Sequence, residues 1–259
     1  MSVLRLLTLL LLLSPFLLGQ DLRVAAAADL TPALQKLSPR FEKETGIHLS
    51  IALGSSGNFF AEIQNGAPFD VFLSADKSYP EKLQQAGLTE PGTLATYARG
   101  RLVLWIPLNS TLRFTTKQGV LTGGLKPLAS SAIKKIAIAN PAHAPYGRAA
   151  VAALQHYGIY DQVKPRLVLG ENISQTAQFA ESGDVGAAFL AMAIAVTPEM
   201  KQRGSFVVLP QESYPPLDQA AVILRSSNRK DQARRFLEFL RGTEAQSILS
   251  DFGFEVPVT

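Results

Sequence analysis

The fold is set by the stretch Leu22-Arg23-Val24-Ala25-Ala26-Ala27-Ala28-Asp29-Leu30. Its apolar part has the length of a buried strand, and a segment of helical period follows from residue 30 to about Thr45, ending before Gly46. Asp29 is predicted to be the N-cap of this helix, with Pro32 in the first turn. A strand that leads directly into a helix is typical of the βαβ unit of a parallel sheet.

Strand-like and helix-like segments alternate along the rest of the chain. Predicted strands follow at 48–53, 69–75, 101–107, 135–139, 166–169, 186–190, 206–209 and 219–224, and predicted helices at 58–65, 79–86, 147–157, 173–182, 230–241 and 243–252. Pro39 is expected to kink or split the first helix near Ser38, because proline removes a backbone donor. The pattern predicts an α/β fold of mixed, mostly parallel sheets flanked by helices.

The predicted elements group into two lobes. Residues 21–100 form the first lobe, residues 101–213 form the second, and residues 214–259 return to the first, so the chain crosses between the lobes twice. Two lobes joined in this way leave a cleft between them. Because ligands of open parallel sheets bind beyond the carboxyl ends of the strands, the cleft is the expected functional site.

The first twenty residues are predicted to be a secretory signal peptide. Arg5 precedes an apolar run from Leu6 to Leu18, which is shorter than the roughly 20 residues that a membrane-spanning helix needs. Cleavage near Gln20 places the mature chain in the periplasm. The sequence has no cysteine, so the core must hold the fold without disulfides, and anchoring through a lipidated cysteine is not expected.

Charge and histidine patterns narrow the possible functions. The formal net charge of +4 comes from basic residues spread along the chain among acidic ones, which is typical of solvated surfaces and not of a nucleic-acid interface. His48, His143 and His156 have neither the spacing of a metal site nor a partnered nucleophile. The sequence therefore offers no argument for a metal centre or for an exported hydrolase that uses Ser55 or Ser56.

Four loops enter predicted helices at the edge of the cleft, at 28–29, 54–57, 140–147 and 171–174. Helix starts favour anions because they present unpaired N–H groups and the positive end of the helix dipole. None of the loops contains lysine, and Arg148 is the nearest cationic side chain. A site of amides and hydroxyls has donors only, which suits a fully deprotonated oxyanion and disfavours phosphate. Sulfate, molybdate and tungstate stay open at this point.

Four blocks in a fixed order carry a resemblance to a known family. They are Ala26-Ala27-Ala28-Asp29-Leu30, Gly54-Ser55-Ser56-Gly57, Gly66-Ala67-Pro68-Phe69-Asp70-Val71-Phe72-Leu73-Ser74-Ala75-Asp76 and Asn140-Pro141-Ala142-His143-Ala144-Pro145-Tyr146-Gly147. Over essentially the whole chain after the leader, the sequence resembles periplasmic molybdate-binding proteins. The resemblance implies a two-lobed type II periplasmic binding fold, no enzymatic activity and no cofactor. It also implies molybdate or tungstate as ligand and the permease of an ABC importer as partner, with the binding protein acting as a monomer.

Carried over by position, the contacts of that family fall on Asp29, Ser56, Tyr146 and Ile173. The first position usually holds serine or asparagine, Ser56 supplies a hydroxyl and an amide, and Tyr146 and Ile173 supply amides. Some members add a tyrosine hydroxyl where this sequence has Ala191. Other members have a tyrosine at the position of Tyr146, so its hydroxyl is expected to replace the missing one.

Asp29 departs from the family pattern, because a carboxylate at ~4–5 Å from a dianion costs several kcal/mol in a partly desolvated cleft. Its side chain is predicted to cap its own helix while its amide, or that of Leu30, faces the anion. The other outcomes are protonation on binding and a different ligand. Alternative ligands are another small oxyanion such as sulfate, or iron(III), for which Tyr157 and Tyr160 match the expected adjacent tyrosines poorly.

Overall fold

The structure is a computed structural model that describes residues 21–256. The predicted leader, residues 1–20, and its cleavage site lie outside the described residues. Across residues 21–256 the chain forms twelve strands and ten α-helices, joined in places by short 3-10 turns. None of these helices is both long enough and apolar enough to cross a membrane.

The first lobe opens with the stretch that sets the fold. β1 (Leu22–Ala27) passes through a 3-10 turn (Ala28–Leu30) into α1 (Thr31–Thr45), which ends at Gly46 with a positive φ of 69°. The lobe continues with β2 (Leu49–Gly54), α2 (Ser56–Gln64), β3 (Val71–Ser74), α3 (Ser78–Gln85) and β4 (Ala95–Gly100).

The second lobe follows directly, and the chain then returns to the first. Its elements are β5 (Leu102–Pro107), β6 (Thr116–Lys117), β7 (Val120–Leu121), β8 (Ile136–Ala139), α4 (Pro145–His156), α5 (Tyr160–Val163), β9 (Leu167–Gly170), α6 (Ile173–Glu181), β10 (Ala187–Ala191), α7 (Met192–Ala195), α8 (Pro198–Arg203) and β11 (Gly204–Val208). The return segment contains β12 (Leu217–Ile223), α9 (Lys230–Arg241) and α10 (Thr243–Asp251).

The strands form two sheets, one in each lobe. The first has the order β2-β1-β3-β12-β4 and the second the order β6-β7-β11-β5-β10-β8-β9. Successive strands β4 and β5 belong to different sheets, and so do β11 and β12, so the chain crosses between the lobes twice. The two-lobed α/β fold is therefore confirmed, whereas the residue numbers at which each lobe begins and ends stay a prediction.

Both sheets are mixed, but antiparallel pairing is more extensive than predicted. β1 is parallel to β2 and β3, and β8 is parallel to β9 and β10. In contrast, β12 is antiparallel to β3 and β4, and β5 is antiparallel to β10 and β11. Both β5 and β12 enter their sheets directly from the other lobe, so no crossover helix sets them parallel to their neighbours.

Alternation along the strands gives the first sheet two apolar faces. Val24 and Ala26 of β1 join a cluster with buried side chains of α1, α9 and α10, including Phe41 and Phe236. Ala25 points to the other face, where it meets side chains of α2 and α3. Each fully buried phenylalanine stabilises the fold by about 1.5–3 kcal/mol. The second lobe has one large core that reaches Ala27 and Ala28, so the lobes also pack against each other.

Asp29 is not the N-cap of the first helix, contrary to the prediction. It lies within the 3-10 turn, the N-cap of α1 is Leu30, and no side chain makes a capping hydrogen bond there. Instead the Thr31 hydroxyl donates to the Ala28 carbonyl at 2.7 Å. The local capping rule fails because Asp29 is fully buried and its carboxylate accepts a hydrogen bond from the distant Gln219.

Pro39 does not split the first helix, and the kink expected as the alternative stays a prediction. α1 is continuous from Thr31 to Thr45 with Pro39 inside it. Leu37 and Phe41 on either side of the proline are fully buried in the core of the lobe. Packing of this apolar face outweighs the local cost of the missing backbone donor.

Candidate anion-binding site

A small pocket lies between the lobes, where several helices begin. It is lined by Ala27, Ala28, Asp29, Gly54, Ser55, Ser56, Ala75, Ala144, Pro145, Tyr146, Asn172 and Ile173. The lining includes all four residues predicted from the sequence and contains no lysine, arginine or histidine. The structure thus brings Asp29, Ser56, Tyr146 and Ile173 together, while their contacts with a ligand stay a prediction.

The start of α2 leaves one amide of its first turn available to the pocket. The Gly57 N–H donates to the His143 carbonyl at 2.9 Å, and the Asn58 N–H donates to the Oγ of Ser55, the N-cap, at 3.3 Å. The remaining amide is that of Ser56, whose N–H has no hydrogen-bond partner among residues 21–256. Because Ser56 lines the pocket, this N–H is available to an anion there.

The start of α6 has the same property. Asn172 is the N-cap, and its Oδ1 accepts from the N–H groups of Ser174 at 3.0 Å and Gln175 at 3.1 Å. The Thr176 N–H donates to the Asn172 carbonyl at 3.1 Å. These bonds leave one amide of the turn, the Ile173 N–H, without a hydrogen-bond partner among residues 21–256.

The start of α4 presents its amides because it begins with a proline. Pro145 has no N–H group, and the first helical bond runs from the Arg148 N–H to the Ala144 carbonyl at 3.1 Å. The amides of Tyr146 and Gly147 lie between these two residues. Gly147 packs so closely that a Cβ built there would lie 2.1 Å from the Ala139 carbonyl oxygen, so only glycine fits. Three helix starts therefore direct their positive ends to one pocket.

The Ser56 hydroxyl is placed to donate to a ligand. Ser56 is fully buried, and its Oγ accepts a hydrogen bond from the Ala75 N–H at 3.0 Å. This contact fixes the oxygen and uses it as an acceptor, so the hydroxyl proton remains for the pocket. The neighbouring Ser55 serves the fold instead, since its Oγ caps α2 and lies 2.8 Å from the His143 Nδ1.

Asp29 belongs to a buried polar cluster at the junction of the lobes, which we define as Asp29, Tyr97, Tyr146 and Gln219. The Gln219 Nε2 donates to the Asp29 Oδ2 at 2.7 Å. Burial raises the pKa of the Asp29 carboxyl to about 6, and the Tyr146 phenol, the Gln219 amide and nearby backbone N–H groups counteract only part of that rise. Burial, together with the charge of Asp29, also raises the pKa of both phenols well above the ordinary value, so they stay neutral.

Tyr146 connects this polar cluster to the pocket. Its ring is buried against the end of β4, where a Cβ built on Gly100 would lie 2.1 Å from the phenol oxygen. Because Tyr146 comes from the second lobe and Gly100 from the first, this close approach requires the lobes to be together. Ala191, where some relatives were expected to have a tyrosine, is fully buried at the end of β10.

Polar contacts also join the lobes across the mouth of the cleft. The Asn58 Nδ2 of the first lobe donates to the Glu171 Oε1 of the second at 2.8 Å. The Ser174 hydroxyl donates to the Ala28 carbonyl at 3.1 Å. His143, for which the sequence indicated no chemical role, bonds to Ser55 and accepts from Gly57 across the same gap. The cleft is closed in this structure.

Arg148, the nearest cationic side chain in the sequence, does not line the pocket. Its Nη2 lies 2.6 Å from the Asp76 Oδ2 and its Nη1 donates to the Tyr79 hydroxyl at 2.9 Å. Both partners belong to the first lobe. The guanidinium therefore contributes to holding the lobes together, and its charge is balanced by Asp76.

Other surfaces of the molecule are less suited to an anion. A wider groove between the end of α1 and the start of α10 is lined by Glu44, Glu238 and Glu244 with Arg235. Its three carboxylates repel a dianion. Within the described part of the chain, no group of three or more histidine, aspartate or glutamate side chains is placed to hold a metal ion. Tyr157 and Tyr160 pack on the core of the second lobe and do not line the pocket.

Two residues of the polar cluster were missed by the sequence analysis. Tyr97 lies on β4, which the sequence did not predict, and Gln219 lies on the predicted strand that became β12. The available signal was the polar side chain of Gln219 in an apolar strand. That signal does not name its partner, which is 190 residues away.

Comparisons with known proteins identify the family of this chain. The chain matches the family model described as bacterial extracellular solute-binding protein over residues 22–255. It is 37% identical to the molybdate-binding protein ModA of Rhodobacter capsulatus over 230 residues, which cover 89% of this chain and 86% of that protein. Identity to ModA of Azotobacter vinelandii is 36% over 234 residues, covering 90% of this chain and 89% of that protein.

A solved structure supports the same relationship. The periplasmic molybdate-binding protein of Azotobacter vinelandii superposes with a TM-score of 0.82 at 36% identity, covering 92% of this chain and 100% of that chain. These relatives are molybdate-binding proteins and not enzymes. The chain therefore belongs to the bacterial extracellular solute-binding proteins and, within them, to the group of the molybdate-binding proteins ModA.

Proposed function

We propose that this protein captures molybdate or tungstate in the interlobe pocket and delivers it to the permease of an ABC importer. The observation that carries the proposal is the convergence of three helix starts, each with a free amide at Ser56, Tyr146 or Ile173, on one pocket that no cationic side chain lines. The names of the relatives, which share up to 37% of their residues with this chain, support molybdate as the anion.

The donors come from both lobes, which couples binding to closure. Ser56 belongs to the first lobe, whereas Tyr146 and Ile173 belong to the second. Each hydrogen bond to a charged acceptor is worth about 1.5–3 kcal/mol, and the helix dipoles add to it. An oxyanion that accepts from both sides stabilises the closed form, which is the form that docks on a permease.

We extend the proposal to the location and state of the protein. The leader directs export to the periplasm, with cleavage near Gln20, and the mature chain acts as a monomer. Its lobes are residues 21–100 with 214–259, and residues 101–213. Tungstate accompanies molybdate in the proposal because the two dianions have nearly the same shape and charge, which a set of amide donors does not distinguish.

The test is a calorimetric titration of the mature chain with molybdate, tungstate, sulfate, phosphate and ferric citrate. Heat is a better signal than fluorescence, because the single tryptophan, Trp105, is buried in the second lobe with its Nε1 bonded to the Met200 carbonyl at 3.2 Å. We expect one molybdate or tungstate per chain and at least about 100-fold weaker binding of the other anions. Tightest binding of sulfate or ferric citrate, or no binding of molybdate and tungstate, would contradict the proposal.

A further inference from the structure

The polar cluster concentrates buried polar atoms that have no hydrogen-bond partner. In the described part of the chain, five such side-chain atoms occur, and four of them are the Asp29 Oδ1, the Tyr97 hydroxyl, the Tyr146 hydroxyl and the Gln219 Oε1. Buried polar atoms normally find partners, because leaving one unpaired is costly. Their grouping beside the pocket indicates that the hydrogen bonding of the cluster changes during function.

The groups that face Asp29 include no cation. The titratable ones are the phenols of Tyr97 on β4 and Tyr146 on α4, and β12 contributes the neutral amide of Gln219. α1 and α6 contribute hydroxyls that bond to the Ala28 carbonyl, and α7 beside the 3-10 turn is apolar throughout. No cationic side chain near the Asp29 carboxylate therefore reduces its repulsion with a dianion in the same pocket.

Tyr146 belongs to both the polar cluster and the pocket lining. Without an anion, its phenol proton can serve the Asp29 Oδ1, since the phenol already lowers the pKa of that carboxyl. With an oxyanion in the pocket, the same proton is attracted to the anion. The Asp29 carboxylate then loses the phenol donor while a dianion lies in the same pocket, and its remaining donors are the Gln219 amide and the backbone N–H groups of Asp29 and Leu30.

We propose, resting on the function proposed above, that Asp29 takes up one proton when the oxyanion binds, so that the protein binds the dianion and a proton together. Protonation removes the repulsion between the carboxylate and the anion. It also gives the Asp29 Oδ1 a proton that it donates within the polar cluster, while the Oδ2 keeps its bond from Gln219. The proton comes from solvent.

The pH dependence follows from this uptake. In the closed form burial raises the pKa of Asp29 to about 6, and the negative charge of the anion moves this pKa higher. The loaded protein holds more protons than the unloaded protein between these two values. Affinity for the dianion therefore falls as the pH rises above about 6, by up to about tenfold per pH unit, and is level below that point.

The decisive experiment is calorimetry of the wild-type protein with molybdate at about pH 7.5, in buffers that differ in ionisation enthalpy. The dependence of the observed heat on the buffer gives the number of protons taken up, and we expect about one per anion. Infrared difference spectra of the same protein provide a second readout, in which the band of a protonated carboxyl group appears on loading. Neither measurement depends on a variant that has to fold.

Two variants assign the proton to its residue. Asp29→Asn resembles the protonated acid and can still accept from Gln219, so we expect it to bind molybdate with no proton uptake and with an affinity independent of pH above about 6. The matched control is Asp70→Asn. Asp70 is also buried in the first lobe, but Arg229 and Ser227 satisfy its carboxylate away from the pocket, so uptake should equal that of the wild type.

The outcomes separate this inference from the proposed function. If the wild type binds molybdate without proton uptake, and without loss of affinity above about pH 6, the inference is wrong and the proposed function stands. If Asp29→Asn still takes up a proton, the assignment to Asp29 is wrong. If the wild type binds no molybdate at any pH, both the proposed function and the inference fail.

Discussion

The pocket and the polar cluster share Asp29 and Tyr146, yet they differ in the hydrogen-bonding groups that they contain. The pocket collects amides that the starts of α2, α4 and α6 leave free, so it is rich in donors. The cluster collects a carboxyl, an amide and two phenols, each with one polar atom that lacks a hydrogen-bond partner, and the charge of its carboxylate opposes an anion. The comparison predicts that the donors of the pocket supply the affinity for the anion, whereas the cluster sets how that affinity depends on pH.

The largest expected effect is on stability and comes from Asp29→Asn in the cluster. The pKa of Asp29 is raised from 3.8 to about 6 in the folded protein, so the folded state holds the proton more tightly than the unfolded state does. The wild type therefore loses stability as the pH rises from about 4 to about 6, by about 3 kcal/mol in total. Asp29→Asn should be more stable than the wild type by up to that amount above pH 6.

Urea unfolding of both proteins without anion, at about pH 4 and about pH 7, measures this difference. The advantage of Asp29→Asn should be present at the higher pH and vanish at the lower. Asp70→Asn is the opposite control, since Arg229, Ser227 and the Arg23 N–H donate to that carboxylate and its loss should destabilise the protein at about pH 7. An advantage of Asp29→Asn that is equal at both pH values would contradict the account.

The second effect tests the contact between Gly100 and Tyr146, the residue that links the pocket to the polar cluster. In Gly100→Ala the new methyl group would lie 2.1 Å from the Tyr146 hydroxyl oxygen, so the Tyr146 ring cannot pack against β4 as it does in the wild type. Overpacking of this kind costs about 1–3 kcal/mol, and we expect molybdate affinity to fall by about 2–3 kcal/mol because the closed form is the one that is strained. Calorimetric titration measures the loss.

A double-mutant cycle with Tyr146→Phe shows whether that contact is responsible. Without the hydroxyl oxygen, the nearest ring atom to the new methyl group is the Cζ at 3.1 Å, which is tight but tolerable. Gly100→Ala should therefore cost much less affinity in the Tyr146→Phe background than in the wild type. If Gly100→Ala lowers the affinity equally in both backgrounds, the loss does not come from the contact between the methyl group and the Tyr146 hydroxyl.

The third effect belongs to the pocket alone. Ser56→Ala removes a hydroxyl whose oxygen is fixed by the Ala75 N–H, and one hydrogen bond to the anion should cost about 2 kcal/mol, or roughly 30-fold in affinity. Ser55→Ala is the matched control, because Ser55 caps α2 and should cost about 1 kcal/mol of stability with a smaller loss of affinity. A larger loss of affinity in Ser55→Ala would reverse the assigned roles.

The smallest effect concerns the rim of the cleft. Arg148→Ala removes a partly exposed ion pair with Asp76, so we expect molybdate affinity to fall by less than about 1 kcal/mol, and less at high salt. Arg40→Ala breaks an exposed ion pair with Glu244, which lies outside the pocket lining, and should leave affinity unchanged. A loss of more than tenfold in Arg148→Ala at every salt concentration would show that the guanidinium contacts the anion.

The helix starts that line the pocket could be predicted because they follow local rules, whereas the individual donors Ser56, Tyr146 and Ile173 came from the family resemblance and their contacts stay a prediction. In the structure Asn172 and Ser55 occupy N-caps, and Pro145 opens a helix without an N–H group, which leaves these amides free. Their convergence follows from the rule that places ligand sites at the carboxyl ends of parallel strands. Most predicted strand and helix bounds also lie within about two residues of the observed ones.

The cluster could not be predicted because tertiary contacts create it. The capping prediction for Asp29 weighed only its neighbours in sequence, whereas burial between β12 and α4 decides where its carboxyl points. Tyr97 was not predicted because β4 was not predicted: its sequence mixes polar and apolar residues and lacks the apolar run of the other strands. The single-turn helices α5 and α7 were missed because segments this short show no helical period.

The most direct test of the central claim is a crystal structure of the mature protein with tungstate, located by the anomalous scattering of tungsten. The account predicts one peak between the lobes, with oxyanion atoms within hydrogen-bond distance of the amides of Ser56, Tyr146 and Ile173 and of the Ser56 hydroxyl. A peak at a site held by lysine or arginine side chains, or one outside this pocket, would contradict it.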